Sequence, residues 1–535
     1  MGQKNYPLYE ADYVDDLKSL VSHVAKKYAH KCAVTFEQDG RLVDVTYQQL
    51  KADVDTLSIV FHGMGIRDVK VALIGENSYH WILSYLAITS TGNVVVPLDA
   101  QLVLCDLEVI LSHCGASVLI HSSSFLDTCV SLEKSVPTVE HRISMGDLTE
   151  LMMTTRNAHN ASKDAGNDID PGSVAAIVYT SGTTGTPKGV ALSHIGLVHD
   201  AAAPLQHVVI PDTNLLVLPL NHVFGMSAGV LAQFLGGARI YIGSSPRNLV
   251  SDMQRHQPGL ICLVPLFIQL LHEGIWETAR KRNKDRLLVT LTRLSNTLLA
   301  LGVDVRPILF RSVLKAFGGN LKMIICGGAP LDPTLVQGLR QFGINVLNGY
   351  GITECSPTVS INRDRYYRDG SVGLVLPTCE VAIREPNENG YGEITVRGTT
   401  VMKGYHNNQE ATDEVLRDGW FATGDLGYLD SDGFLFITGR KKNLIILSNG
   451  KNVHPEELEF LLLKISYIKE AVVFAENDTI VAEVFLDPEA DPSCVIQLDE
   501  DVRVLNASMP RFKTITMTRV RETEFPKTAT QKIKR

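Results

Sequence analysis

Apolar positions along the chain follow two rhythms. Over residues 8–31, Leu17, Leu20, Val21 and Val24 fall on one face at helical spacing, which predicts an amphipathic helix. Residues 33–36 and 43–47 flank Asp39-Gly40 and predict a hairpin. Leu50, Val54, Leu57 and Phe61 repeat at helical spacing again. Strands are then predicted at 69–74, 93–96 and 118–121, with helices at 79–90 and 107–113 between them. Such alternation predicts an α/β protein with a mostly parallel sheet.

Residues 156–170 are polar and without period, and predict a connecting loop. Apolar runs at 174–179, 214–220, 239–242, 260–264 and 321–326 predict further buried strands. Residues 379–384 and 393–397 predict a small β section after the α/β layers. The texture changes near residue 440. A strand at 435–438 gives way to Gly439-Arg440-Lys441-Lys442-Asn443, then a short apolar run. A helix is predicted from Pro455-Glu456-Glu457, where proline and acids suit a first turn. The expected division is a large domain of two α/β layers plus the β section over 1–438, a linker over 439–443, and a small α+β domain over 444–535.

Composition narrows the options. The chain has 535 residues and a net charge of −9, so its surface as a whole is not a nucleic-acid footprint. Nine cysteines show no Cys-x-x-Cys spacing, which argues against a disulfide scaffold or zinc site and fits a reducing cytoplasm. No apolar run at 1–13 suggests a signal peptide, Tyr6 stands where a myristoylation motif wants Ser or Thr, and no run has the length of a membrane span.

The most informative string is Tyr179-Thr180-Ser181-Gly182-Thr183-Thr184-Gly185-Thr186-Pro187-Lys188-Gly189, just after a predicted strand. Glycines let backbone come close to a ligand. Hydroxyls and N–H groups can converge on an anion, and Lys188 adds a mobile positive charge. The ligand this suits is a polyphosphate. The spacing is not the common P-loop, which needs Gly-Lys-Ser/Thr. A flexible surface loop is the bland alternative.

The string resembles the phosphate-binding signature of the acyl-adenylate-forming enzymes: acyl-CoA synthetases, luciferases and the adenylation domains of peptide synthetases. Other stretches match that family in order. The stretch from Gly75-Glu76-Asn77 to Val96-Pro97-Leu98-Asp99 resembles its N-terminal region. Leu218-Pro219-Leu220-Asn221-His222-Val223-Phe224-Gly225 resembles its second core motif. Amino-acid-activating members usually carry an aspartate there; Asn221 and His222 argue against that substrate. The resemblance puts His222 in the acyl pocket, whereas the residues alone suggest a histidine at a helix start. Gly327, Gly328 and Ala329, and then Asn348, Gly349, Tyr350, Gly351 and Thr353, match the stretches that border adenine. Glu354 matches the residue that holds Mg²⁺, with Thr180 beside it. Asp425 matches the ribose-binding acid, and Arg440 can reach ribose or phosphate. Lys442 matches the hinge, and Gly450 the loop that faces the thiol tunnel. Lys532 matches the lysine that bridges the carboxylate and the α-phosphate, though Gln531 stands where the family commonly has glycine.

What the resemblance implies is a two-step ligase using ATP, Mg²⁺ and CoA. A carboxylate attacks the α-phosphate to give acyl-AMP, and a thiol then displaces AMP. Thr180, Lys188, Glu354 and Lys532 are its expected catalytic residues, and the C-terminal domain is expected to move between steps. Residues 273–322 carry ten Lys/Arg against four acids, and resemble the insertion of long-chain fatty acyl-CoA synthetases. The segment is either a solvated face or a peripheral contact with the inner face of a membrane. The expected substrate is a medium- or long-chain fatty acid. Three rivals stay open: a ligase that loads an acyl carrier protein, an enzyme for aryl acids, and a binding protein with a degenerate site.

Overall fold

Asp16 fixes where the first helix begins. Its carboxylate accepts from the Ser19 N–H at 2.7 Å, so the helix is Leu17–Tyr28 and not the whole of 8–31. The next helix, Tyr47–Gly63, starts on a capping box in which Thr46 and Gln49 satisfy each other's backbone N–H. Ser78 caps Tyr79–Ser90, which is buried along nearly its whole length. The computed structural model describes residues 5–158, 168–180, 187–388, 390–448, 451–527 and 533.

Two sheets dominate. In the first, Val174–Thr180, Val94–Pro97, Lys70–Ile74, Val118–His121 and His141–Ser144 run parallel. Lys188–Ser193 and then Gly404–Tyr405 extend one edge antiparallel. In the second, Asn345–Gly351, Met323–Cys326, Leu260–Leu263, Thr213–Leu216, Arg239–Ile242 and Cys32–Gln38 are parallel, with antiparallel strands at both edges. The α/β class and mostly parallel sheets expected from the sequence are what the chain forms. Burial on both faces explains why these strands read as unbroken apolar runs: Leu260–Leu263 and Met323–Cys326 are buried throughout.

Some expectations shift. Residues 156–158 close the helix Leu148–Ala158 and are not loop. The strand expected at 214–220 is Thr213–Leu216, because the chain turns at Pro219 toward the helix Val223–Met226. The segment 273–322 is helical, as its period predicts. It holds the end of Pro265–Lys281, then Asp285–Ala300, Arg306–Leu309 and Arg311–Ala316.

The chain falls into two compact units, Met1–Glu380 with Val396–Phe421, and Val381–Thr395 with Ala422–Arg535. The second holds a core built by Pro455–Leu462 and Cys494–Ala507 against the strands Ile468–Glu476, Thr479–Leu486 and Ile515–Arg521. All nine cysteines are free thiols, and no helix among the described residues is long and apolar enough to cross a membrane.

Candidate active site

The Gly/Thr-rich string sits on an antiparallel pair of strands. Val174–Thr180 leads in and Lys188–Ser193 leads out, with Thr180 opposite Lys188 at the last rung. This rung fixes both ends of the connection between them. Ser181, Gly182, Thr183, Thr184 and Gly185 lie outside the described residues, as do Gly450 and Lys532.

Lys188 is placed by an aromatic ring. Its Nζ stands 4.9 Å from the ring centre of Tyr405, a cation–π contact. Tyr405 belongs to the strand Gly404–Tyr405, which pairs with Lys188–Ser193. The same tyrosine donates its hydroxyl to Glu354 Oε1 at 2.9 Å. Burial raises the phenol above its ordinary pKa, and the charge of Glu354 and the hydrogen bond to it push the same way. Tyr405 therefore stays a protonated donor at neutral pH. The Glu354 carbonyl accepts from the Met402 N–H at 2.8 Å, tying the two segments together through the backbone as well.

Glu354 lies three residues past the end of the strand Asn345–Gly351, in the 3₁₀ turn Thr353–Cys355. Gly327, Gly328, Gly349, Tyr350 and Gly351 line one side of a mainly apolar pocket at the carboxyl ends of Met323–Cys326 and Asn345–Gly351. Open α/β sheets place ligands at such strand ends. Gly328 has φ +88°, a conformation other residues rarely adopt, and a Cβ on Gly351 would lie 2.1 Å from the Pro357 carbonyl oxygen. Asn348 does not line this pocket. Its side chain donates to the Ser371 carbonyl at 3.1 Å, and its own carbonyl accepts from the Asn362 N–H at 3.0 Å. Ala329 is partly exposed in the turn after Gly328.

His222 precedes the helix Val223–Met226 with extended backbone, as a helix-start residue does. Phe224, two residues on, lines the pocket; His222 is not among the lining residues. Asn77 brackets this turn, donating to the Leu218 carbonyl at 2.8 Å and accepting from the Leu220 N–H at 3.0 Å. The stretch around Asn77, marked in the sequence as family-like, thus anchors the second motif.

In the other unit, Asp425 and Arg440 face each other across an antiparallel pair of strands. Arg440 Nε stands 2.7 Å from Asp425 Oδ1, with the aspartate side chain only 6% exposed. Asp425 is also turned by its own backbone, whose N–H donates to Thr423 Oγ1 at 3.0 Å. Lys442 is exposed in the 3₁₀ turn Lys441–Asn443.

Sequence reasoning missed Tyr405. A Gly-Tyr pair before a polar stretch gives no hint of its partners, which come from strand pairing between distant segments. It also missed Asp200, Ser227 and Gln233, three buried polar residues that line the pocket. They lie on a predominantly apolar run, and only burial sets them apart.

Magnesium held through a substrate's phosphates needs just one or two protein oxygens. No group of three or more metal-binding His, Cys, Asp or Glu side chains exists among the described residues. A single carboxylate at Glu354, oriented by Tyr405, suits that sparse demand.

The chain belongs to the AMP-binding enzyme family. The family's main domain matches residues 21–406, and the AMP-binding enzyme C-terminal domain matches 442–535. Among curated relatives, the long-chain-fatty-acid–CoA ligase FadD15 of Mycobacterium tuberculosis is 28% identical, over 93% of this chain and 90% of its own. The chloroplastic long-chain-fatty-acid–[acyl-carrier-protein] ligase AEE15 of Arabidopsis thaliana is 27% identical, over 85% of this chain and 74% of its own. The fold is shared with the anthranilate CoA ligase AuaEII in complex with anthranoyl-AMP, at a TM-score of 0.78 and 21% identity over 99% and 96% of the two chains. It is shared too with the O-succinylbenzoate coenzyme A synthetase of Bacillus subtilis in complex with ATP and magnesium, at a TM-score of 0.74 and 24% identity over 96% and 98%.

Proposed function

We propose that this protein joins a carboxylic acid, a medium- or long-chain fatty acid, to AMP using ATP, and then passes the acyl group to the thiol of CoA. The products are acyl-CoA, AMP and pyrophosphate. The observation that carries the reading is the Lys188–Tyr405–Glu354 arrangement. It sets a cation and a carboxylate on one ring, the cation two residues after the Gly/Thr-rich stretch in sequence and the carboxylate three residues past the pocket residue Gly351.

The roles follow from charge and shape. Lys188, Thr180, Ser181, Gly182, Thr183, Thr184 and Gly185 hold the triphosphate through positive charge and hydrogen bonds. Glu354 and Thr180 would hold Mg²⁺, which supplies charge neutralisation for the departing pyrophosphate. Gly327, Gly328, Ala329, Asn348, Gly349, Tyr350, Gly351 and Thr353 border the adenine, with Asn348 acting through the fold of its neighbours. Asp425 accepts from the ribose hydroxyls, and Arg440 holds that carboxylate in place. Lys532 bridges the carboxylate and the α-phosphate. His222 starts the helix that brings Phe224 to the pocket, and serves the acyl group through that residue. Residues 439–443, with Lys442 at their centre, are the hinge between domains 1–438 and 444–535, and Gly450 comes forward for thiolation.

The names of relatives such as FadD15 support a long-chain acid and CoA. AEE15, named as a carrier-protein ligase, supports the second reading, in which the acceptor is an acyl carrier protein. Free thiols at all nine cysteines support a reducing cytoplasm. Peripheral contact with a membrane through 273–322 is supported by Leu301 and Ile308, 75% and 78% exposed beside Arg306 and Arg311.

The test is ATP-dependent turnover of alkanoic acids of graded length, with benzoate and amino acids alongside, and with CoA present or absent. Pyrophosphate and acyl-CoA are recorded together. Both products with alkanoates is the expected result. Pyrophosphate without acyl-CoA moves the acceptor to a carrier protein. No pyrophosphate with any acid overturns the reading.

A further inference from the structure

The pocket beside Tyr350 is walled by Leu205, Val208, Ile210, Phe224, Ile325 and Ile361, the wall a hydrocarbon chain would want. Three fully buried polar residues interrupt it. Asp200, Ser227 and Gln233 line the same pocket and are 0%, 2% and 1% exposed. Asp200 and Ser227 hold each other through a short hydrogen bond between Asp200 Oδ2 and the Ser227 hydroxyl. Asp200 Oδ1 accepts from the Thr358 N–H at 2.5 Å. Burial pushes this carboxyl well above the ordinary carboxylate range, against the lowering effect of the hydrogen bonds it accepts from Ser227 and Thr358.

Gln233 differs. Its Nε2 donates to the Ala228 carbonyl at 2.9 Å. Its Oε1 is buried and accepts no hydrogen bond among the described residues. The residue follows the π-helical turn Ser227–Leu231, and such turns commonly re-aim side chains at functional sites. A methionine would fill the same space with no orphaned acceptor. A buried carbonyl oxygen without a donor is unfavourable, and a chain of methylenes offers it nothing.

We propose that this pocket selects a carboxylic acid whose chain carries a hydroxyl group, which donates to Gln233 Oε1, and that Gln233 sets the preference over the unsubstituted acid. The inference rests on the proposed activity, with the apolar wall of this pocket taken as the acyl site and its glycines and Tyr350 as the border of the adenine. A hydroxyl fits where its neighbours in chemistry do not. A ketone has no hydrogen to donate to Oε1. An ammonium group would leave water for a mainly hydrocarbon wall, a cost that one amide oxygen does not offset. Sites built to bond a substrate hydroxyl reject the analogue that lacks it far more strongly than apolar pockets separate chain lengths.

The experiment uses the full chain with ATP, Mg²⁺ and CoA. Pyrophosphate release is measured for one chain length as the parent acid, as hydroxy acids with the hydroxyl stepped along the chain, and as the methyl ethers of those hydroxy acids. At one hydroxyl position, kcat/KM is expected to exceed the parent by about tenfold or more. The methyl ether, which keeps the oxygen but has lost the donor, is expected to fall back to the parent or below. In Gln233→Met the ratio of hydroxy to parent acid is expected to drop to about one, a readout that does not depend on how much enzyme is folded. Preference for the parent at every position, or an unchanged ratio in Gln233→Met, overturns the proposal. If no acid releases pyrophosphate, the activity reading fails by itself. Calorimetric binding of the same hydroxy and parent acids to the wild type then decides this inference, equal affinities overturning it and tighter hydroxy acid sustaining it.

Discussion

The hydroxyl of Tyr405 donates to Oε1 of Glu354 at 2.9 Å. One ring therefore orients the acid proposed to meet magnesium and, through its face, the lysine proposed to meet phosphate. Tyr405→Phe removes the first contact and keeps the second. The rate of acyl-AMP formation is expected to fall about tenfold, as for loss of one positioning hydrogen bond. The Mg²⁺ concentration at half-maximal rate is expected to rise with it. Pyrophosphate release across a Mg²⁺ titration checks both, and an unchanged midpoint would remove Tyr405 from the site.

Asp425 and Arg440 make the second pair. The aspartate is buried and the arginine is partly exposed, so removing the arginine frees a buried carboxylate from its main partner, while removing the aspartate leaves a guanidinium that water can reach. If Asp425 accepts from ribose, Asp425→Ala raises KM for ATP by roughly ten- to a hundredfold, because a carboxylate hydrogen bond to a ligand is a charged one. Arg440→Ala is expected to act in the same direction and more weakly. Steady-state kinetics against ATP with 2′-deoxy-ATP as the comparison decides the matter. If Asp425→Ala still discriminates between the two nucleotides as the wild type does, the ribose role is lost.

Much of this was legible in the chain before its structure. The strands Val118–His121 and Arg239–Ile242, and the helix Tyr79–Ser90, fall on the predicted residues because short apolar runs bounded by polar ones leave little choice. Of the strands flanking the Gly/Thr string, Val174–Thr180 is legible as an apolar run, whereas Lys188–Ser193 opens on a lysine and a glycine and gives no strand signal there. The first helix was overextended because periodicity continues past the point where Asp16 takes the Ser19 N–H. Motif residues such as Glu354 and Asp425 announce themselves by string. Tyr405 and Gln233 do not. Their significance lies in partners brought by strand pairing, or in a missing partner, and neither is written in local sequence.

Asp200 makes a prediction about stability. Its folded-state pKa is raised well above the unfolded value, so folding favours the protonated form. Its contribution is fully present below the unfolded pKa and is lost as pH rises toward the folded one. Asparagine can accept from Thr358 N–H through its carbonyl, and its amide can donate to Ser227 Oγ once that hydroxyl, which donates to Asp200 in the wild type, turns to accept. Asp200→Asn is therefore expected to match the wild type near pH 4 and to melt higher at pH 8, by on the order of 2 °C or more. Melting curves across that range are the check. A difference that does not grow with pH would show that folding does not raise the Asp200 pKa.

The turn from Asp285–Ala300 into Arg306–Leu309 presents Leu301, Val303 and Ile308 to solvent in a segment rich in arginine. Apolar side chains on a basic segment suit an anionic bilayer. If this face docks on one, vesicles of phosphatidylglycerol pull the protein down at low salt, and neutral phosphatidylcholine vesicles do so far less. Leu301→Glu with Ile308→Glu is expected to reduce the bound fraction about tenfold. Equal binding to both vesicles, or no effect of the pair of substitutions, would return the segment to an ordinary solvated surface.

The two half-reactions can be separated at Lys532. In the proposed mechanism its charge is needed when the carboxylate meets the α-phosphate and is not needed when a thiol displaces AMP. Lys532→Ala is then expected to lose acyl-AMP formation by a factor on the order of a hundred or more, the scale of losing one charged group aimed at a transition state. The same variant should still convert supplied acyl-AMP and CoA to thioester within a few-fold of the wild type. The pair of measurements discriminates where either alone does not. Loss of both half-reactions means that the residue holds the fold or serves both steps, and the two-state assignment with a hinge at Lys442 then fails. Retention of both means that some other cation meets the carboxylate. Only the asymmetric result supports a domain that presents Lys532 for one reaction and withdraws it for the other.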